Sequence, residues 1–260
     1  MNSNKSLEDV LQKDRLILLG GIILISLLSW LYIIYLYRQM AVMNMDAVFF
    51  AMPMNPNWAF TDFILLFLMW MVMMIAMMTP SVTPLILIFS MYNRRRKQQA
   101  NPFVPTLYLL AGYFLVWIGF SICATLFQWL LQHIALLNSE MRTTNKILGG
   151  SILIFAGIFQ FTPFKTNCLK FCRTPIDFIN QNWKDGKSGA LKMGIENGWY
   201  CLGCCWLLMI LLFVTGIMNL LWIALISLFV LIEKILLQTK WVSVIAGILL
   251  ILYGTLVLFK

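Results

Sequence analysis

Charge is what this sequence has least of: 11% of its 260 residues are Asp, Glu, Lys or Arg, against 61% apolar. A soluble domain carries about a quarter charged residues, so this chain lacks the polar groups to cover a surface facing water. Histidine is scarcer still. A lone His133 excludes a His-rich metal site and a haem-ligated electron carrier, which needs more axial ligands than one His provides. Its place at the outer end of an apolar span predicts a wet position at headgroup level. Also missing are a Walker A loop, an HExxH helix, a Ser/His/Asp set and a dinucleotide-binding glycine fingerprint. An ATP-driven pump therefore does not fit. The net charge of +9 does not point to nucleic acid either, because the basic residues fall in the gaps between apolar runs without interleaved aromatics.

What remains is a chain suited to lipid, where an apolar surface is tolerated once each backbone group is paired inside a helix. The expected class is all-α, a polytopic membrane helix bundle forming one domain over 1–260, with 1–15 as a polar N-terminal segment and 16–259 as the bundle. Seven apolar segments are long enough to cross a bilayer. They are Leu16 to Tyr37, about Asp62 to Met91, Phe103 to Leu131, Ile147 to Phe164, Trp199 to Ile217, Leu220 to about Leu237, and Val242 to Phe259. The first is too long for a signal-peptide core and reads as a retained anchor. With the N-terminus inside, all 19 basic residues except Arg38, Arg142, Lys146 and Lys260 fall on the cytoplasmic side. The positive-inside rule then predicts N-in, C-out topology in a bacterial inner membrane. Gly149, Gly150 and Gly157 would let a neighbouring helix come close.

Soft ligands are unevenly spread. Five of the six Cys sit around one inner segment: Cys168 and Cys172, then Cys201, Cys204 and Cys205. On a helix, Cys201, Cys204, Cys205 and Met209 share one face, and so do Cys168 and Cys172. Thiolates and thioethers select Cu(I), with zinc as a thiolate-compatible competitor. In a reducing cytoplasm a structural disulfide is the weaker explanation, while plain packing by small apolar thiols is a standing alternative.

Eleven of the 17 Met fall within residues 40–78. Met69, Met73 and Met77 make one helical stripe, and Met71, Met74 and Met78 another on nearly the opposite side. One site cannot use both, so one stripe at least packs or faces lipid. Met40, Met43, Met45, Met52 and Met54, with Asp46, form an outer segment that burial explains less well. Asp62, Gln160 and Glu233 are the polar intramembrane candidates, since a carboxylate in lipid is costly. Pro80 and Pro84 free backbone carbonyls in the second span, predicting either a cavity at its inner end or a simple kink.

Three stretches together resemble the bacterial membrane family DUF2182, of predicted metal-binding integral membrane proteins. They are Met69-Trp70-Met71-Val72-Met73-Met74-Ile75-Ala76-Met77-Met78-Thr79-Pro80; Gln160-Phe161-Thr162-Pro163-Phe164-Lys165 with Cys168-Leu169-Lys170-Phe171-Cys172-Arg173; and Gly198-Trp199-Tyr200-Cys201-Leu202-Gly203-Cys204-Cys205-Trp206 with Met209. The resemblance covers about residues 40–235 and implies a polytopic membrane protein that binds metal. The copper preference comes from ligand softness. The favoured reading is a non-enzymatic one: capture of a soft metal by the outer Met, passage along the Met73/Met77 or Met74/Met78 face and the Cys201 face, and release at Cys168 and Cys172. A metallochaperone or a membrane metalloenzyme would be the partner. The rivals are a membrane thiol oxidoreductase using Cys204 or Cys205 with Cys168 or Cys172, and a non-catalytic assembly subunit in which the cysteines only pack.

Overall fold

The computed structural model describes residues 2–41, 58–98, 104–134, 143, 145–236 and 240–259. These form nine helices: α1 (Asn2–Ala41), α2 (Phe60–Gln98), α3 (Leu107–His133), α4 (Lys146–Phe159), α5 (Pro163–Arg173), α6 (Pro175–Asn182), α7 (Gly186–Thr215), α8 (Leu220–Ile235) and α9 (Lys240–Phe259). Among the described residues five helices (α1, α2, α3, α7 and α9) are long and apolar enough to cross a membrane, or six if α4 and α5 are one bent span. This is a helical membrane protein. A count of seven would require α8 as well, which has 16 residues.

Local chemistry sets the boundaries. The Asn145 side chain accepts from the backbone N–H of Ile147 (2.9 Å) and Leu148 (3.2 Å), using two of the donors that a helix start leaves unpaired. Asn219 does the same for α8 through Trp222 N–H. Gly216, at φ +99°, ends α7 in a conformation that a side chain would resist.

Two expected spans differ from what folds. The segment drawn as Ile147 to Phe164 is not one rod. Proline disfavours helical geometry in the residue before it, and Thr162 is extended at ψ 141° with Pro163 opening α5. The chain turns through 63° between α4 and α5. The segment drawn from Trp199 begins instead at Gly186, so Cys201, Cys204 and Cys205 lie mid-helix, not at the mouth of a span. Lys187, Lys192 and Glu196 mask that earlier start by lowering local hydropathy. Lys187 sits over the Tyr108 ring, and Lys184 pairs with Glu196.

α2 lies at the centre, packed by α1, α3, α6 and α8, while α3 and α7 form the closest pair and α9 lies along α4. Backbone touches backbone in the α3–α7 seam. A Cβ on Gly112 would fall 2.1 Å from the Leu191 carbonyl oxygen, and one on Gly194 would fall 2.1 Å from that of Leu109. Small residues at such points let helices without a hydrophobic driving force gain contact area. Gly150 and Gly157 serve the α4–α9 contact similarly, facing the Gly254 and Gly247 carbonyls.

The centre of the bundle is aromatic and sulfur-rich. Trp70 is fully buried, stacks on Phe213 at 5.2 Å and donates its indole N–H to Gln128 Oε1 at 2.7 Å. α2 runs through Pro80 and Pro84 without a break. Near those prolines, Thr79 and Thr83 hydroxyls bond the carbonyls of Ile75 and Thr79.

Candidate metal centre

α7 carries Cys201, Cys204, Cys205 and Met209 on one face, and all four are buried. The helical spacing alone brings the thiols together. Cys204 and Cys205 each donate to the carbonyl oxygen of Cys201, at 3.1 and 2.9 Å, the back-bonding that short polar side chains make on a helix. Their sulfurs thus gather around one backbone oxygen.

Three other helices close in on this turn. From α3, Tyr113 Oη lies 3.0 Å from Cys201 Sγ. From α8, Lys234 Nζ donates to the same sulfur at 2.8 Å. From α5, the Cys172 thiol comes close to that of Cys204. Four sulfurs from two helices, a phenol and an ammonium are spread along this turn of α7. Cys168, also on α5, stands to one side: its sulfur would lie 3.0 Å from a Cβ built on Gly203. It lines an apolar cavity of about 760 Å³ with Trp199, Trp206, Phe120, Phe127 and Phe213.

Among the described residues no three His, Cys, Asp or Glu side chains are gathered closely enough to hold a metal ion. The sulfurs instead meet in pairs. A structural zinc site needs four ligands closed around the ion, and this geometry does not supply them. Cu(I) is a soft d10 cation that two thiolates satisfy, and a thioether such as Met209 is a compatible third donor. The donor set therefore fits copper better than zinc.

A second polar group lies beside the thiols. Glu233 is 2% exposed and Lys165 1%, and their side chains pair at 2.5 Å. Ser243 Oγ donates to the same carboxylate oxygen at 2.5 Å. Lys165 also donates to Gln160 Oε1, while the buried amide nitrogen of Gln160 has no hydrogen-bond partner among the described residues. Arg173 Nε donates to the Glu233 backbone carbonyl at 2.7 Å. Gln160 and Glu233 are thus brought together. Asp62 is not part of this group. It accepts the Ala59 N–H at 2.8 Å and caps the start of α2, as a carboxylate at the third helical position does.

Both Met stripes turn largely inward: Met69, Met73 and Met77 are buried, and so are Met74 and Met78, while Met71 is half-buried. They share one continuous buried cluster with Met209 and the α7 thiols. The outer Met segment (Met43, Met45, Met52 and Met54, with Asp46) lies outside the described residues, as does the Met40 side chain. His133 is exposed and stacks on Trp129 at 5.7 Å. Tyr113, Lys165, Arg173 and Lys234 were not singled out by sequence reasoning as site residues. The readable signal was a Lys five residues after Gln160 and another adjoining Glu233, cations bordering or interrupting apolar runs. Tyr113 carried no such signal.

A family model described as "Copper chaperone" (PpoB2) matches residues 67–257. No curated protein and no solved structure matches the chain.

Proposed function

The chain belongs to the PpoB2 copper-chaperone family, and from that premise we propose that it carries Cu(I) as cargo on paired thiols inside a membrane helix bundle and delivers it across the membrane. Copper is favoured over zinc by the paired, soft donors. The observation that carries the reading is the approach of Cys172 on α5 to Cys204 on α7, which lies one turn from Cys201 and next to Cys205. Two helices each offer a thiol, so a single Cu(I) can be shared between them and passed by exchanging one sulfur at a time.

The topology is seven spans with the N-terminus inside a bacterial inner membrane, supported by the distribution of Lys and Arg. The outer Met segment captures the ion, and the Met73/Met77 face lies on its route to the thiols. Cys168, half-buried beside them, is the exit ligand toward a metallochaperone or membrane metalloenzyme. The motifs that resemble DUF2182 fall on these same residues.

Metal analysis of the purified protein tests this. Wild type retains stoichiometric copper, and Cys204→Ser and Cys172→Ser each lose most of it. Absence of stoichiometric copper from wild type loaded under reducing conditions refutes the proposal. The contact between Cys172 and Cys204 also favours one second reading, a thiol oxidoreductase that joins the two as a disulfide. Thiol trapping in cells separates the readings, because a carrier keeps both thiols reduced throughout.

A further inference from the structure

The two helices that bear the thiols are both tied to a single dipeptide on α8. Glu233 holds α5 at its two ends. Its carboxylate takes Lys165 in the first turn of α5 at 2.5 Å, and its backbone carbonyl takes Arg173, the last residue of α5, at 2.7 Å. Cys168 and Cys172 lie between these two anchors. The next residue, Lys234, bonds Cys201 of α7 at 2.8 Å. Ser243 at the start of α9 fixes the carboxylate from behind at 2.5 Å.

We infer that Glu233-Lys234 is a positioning dipeptide that sets the thiols of α5 against those of α7. This rests on the copper reading for its purpose, though not for its geometry. α5 is only 11 residues long and is entered through a 63° turn, so nothing in its own length fixes its rotation. An isolated helix of that size is marginal. Two anchors on one residue, about two turns apart, fix both its rotation and its height. Burial makes the Lys165 tie stringent, because an ion pair excluded from water has no solvent to exchange with. Rotating α5 by one residue would move Cys172 about 100° away from Cys204.

The test is cross-linking of Cys172 to Cys204 by dibromobimane, which becomes fluorescent on joining two close thiols. It is done in the full-length protein in membranes with Cys123, Cys168, Cys201 and Cys205 replaced by Ser. The reference protein cross-links. Glu233→Ala lowers the yield about tenfold, the ratio that one lost charged hydrogen bond commands. The exchanged pair Lys165→Glu with Glu233→Lys restores it, which a general loss of packing would not. Arg173→Leu cuts only the second tie, and serves where Glu233→Ala fails to accumulate; it lowers the yield several-fold. Unchanged cross-linking in Glu233→Ala, or in Arg173→Leu where the former is not obtained, overturns the inference, as does a charge exchange that restores nothing. Copper loading is measured in parallel on proteins with all cysteines present. A wild type without copper removes the metal reading and leaves the cross-linking result standing, whereas a copper-loaded wild type with unaltered cross-linking removes only the positioning role.

Discussion

Adding one methyl group to the α3–α7 seam should open the metal centre from a distance. In Gly194→Ala the new Cβ would fall 2.1 Å from the Leu109 carbonyl oxygen, 2.9 Å from the Tyr113 nitrogen and 3.0 Å from the Gly112 Cα. All three are backbone atoms, so no rotamer change can make room. The carbonyl contact is about 1 Å short of van der Waals distance, taken as about 3.2 Å for carbon and oxygen, and the helices must part by a comparable amount. Overpacking of this kind costs about 1–3 kcal/mol. Tyr113 is the neighbour of Gly112 and sits 3.0 Å from Cys201 Sγ. A displacement of that size takes its hydroxyl out of hydrogen-bonding range of the thiol. Gly112→Ala meets the Leu191 carbonyl at 2.1 Å and should behave alike. The two substitutions relieve one another: once either has separated the helices, the second finds space. Their combined cost should fall short of the sum by more than the few tenths of a kcal/mol seen for independent sites. The assay is reversible unfolding in detergent for the four members of the cycle, with copper retention measured on each. Gly119→Ala on α3 is the control. Nothing lies within 4 Å of its Cβ position, so it should be neutral or gain up to about 1 kcal/mol from helix propensity. Neutral substitutions at 112 and 194, or strict additivity, would refute the close-contact argument.

Three further outcomes follow from the buried groups. Lys165→Met should destabilise by about 3–5 kcal/mol, since it removes the cation from a buried carboxylate, and Lys165→Met with Glu233→Leu should recover most of that loss in thermal unfolding. A membrane-permeant maleimide should label the half-buried Cys168 well before the buried Cys201, Cys204 and Cys205, an order readable by peptide mass spectrometry. Met209→Leu conserves volume and should cost less than about 1.5 kcal/mol of stability while lowering copper retention; equal retention would remove Met209 from the ligand set.

Sequence patterning revealed the α7 face because it depends only on helical geometry. Spacings of three, one and four place Cys201, Cys204, Cys205 and Met209 together whatever surrounds them. The turn at Pro163 was missed although its signal is local, because an unbroken apolar run was read through it as one span. The ionic group was harder. Lys165 and Lys234 counted as cytoplasmic charge, because a tally by segment treats every cation as solvated. Their burial depends on partners far along the chain, Glu233 for one and Cys201 for the other. The Met stripes show the same limit. Periodicity separates two faces of α2 but not how many helices surround it, and a central helix buries both. Tyr113 looks like any apolar aromatic until α7 is laid beside it.

The shortness of α8 has a consequence for how near the thiols of α7 lie to the membrane surface. Sixteen residues rise about 24 Å, against a hydrocarbon layer of about 30 Å. A helix that falls short of the layer draws the headgroups down to it, and here the last turn carries Glu233 and Lys234. On the proposed seven-span topology the membrane surface would dimple above them. A docking protein approaching at that dimple would meet the sulfur-bearing turn of α7 several ångströms nearer to water than the depth of an undisturbed bilayer would place it.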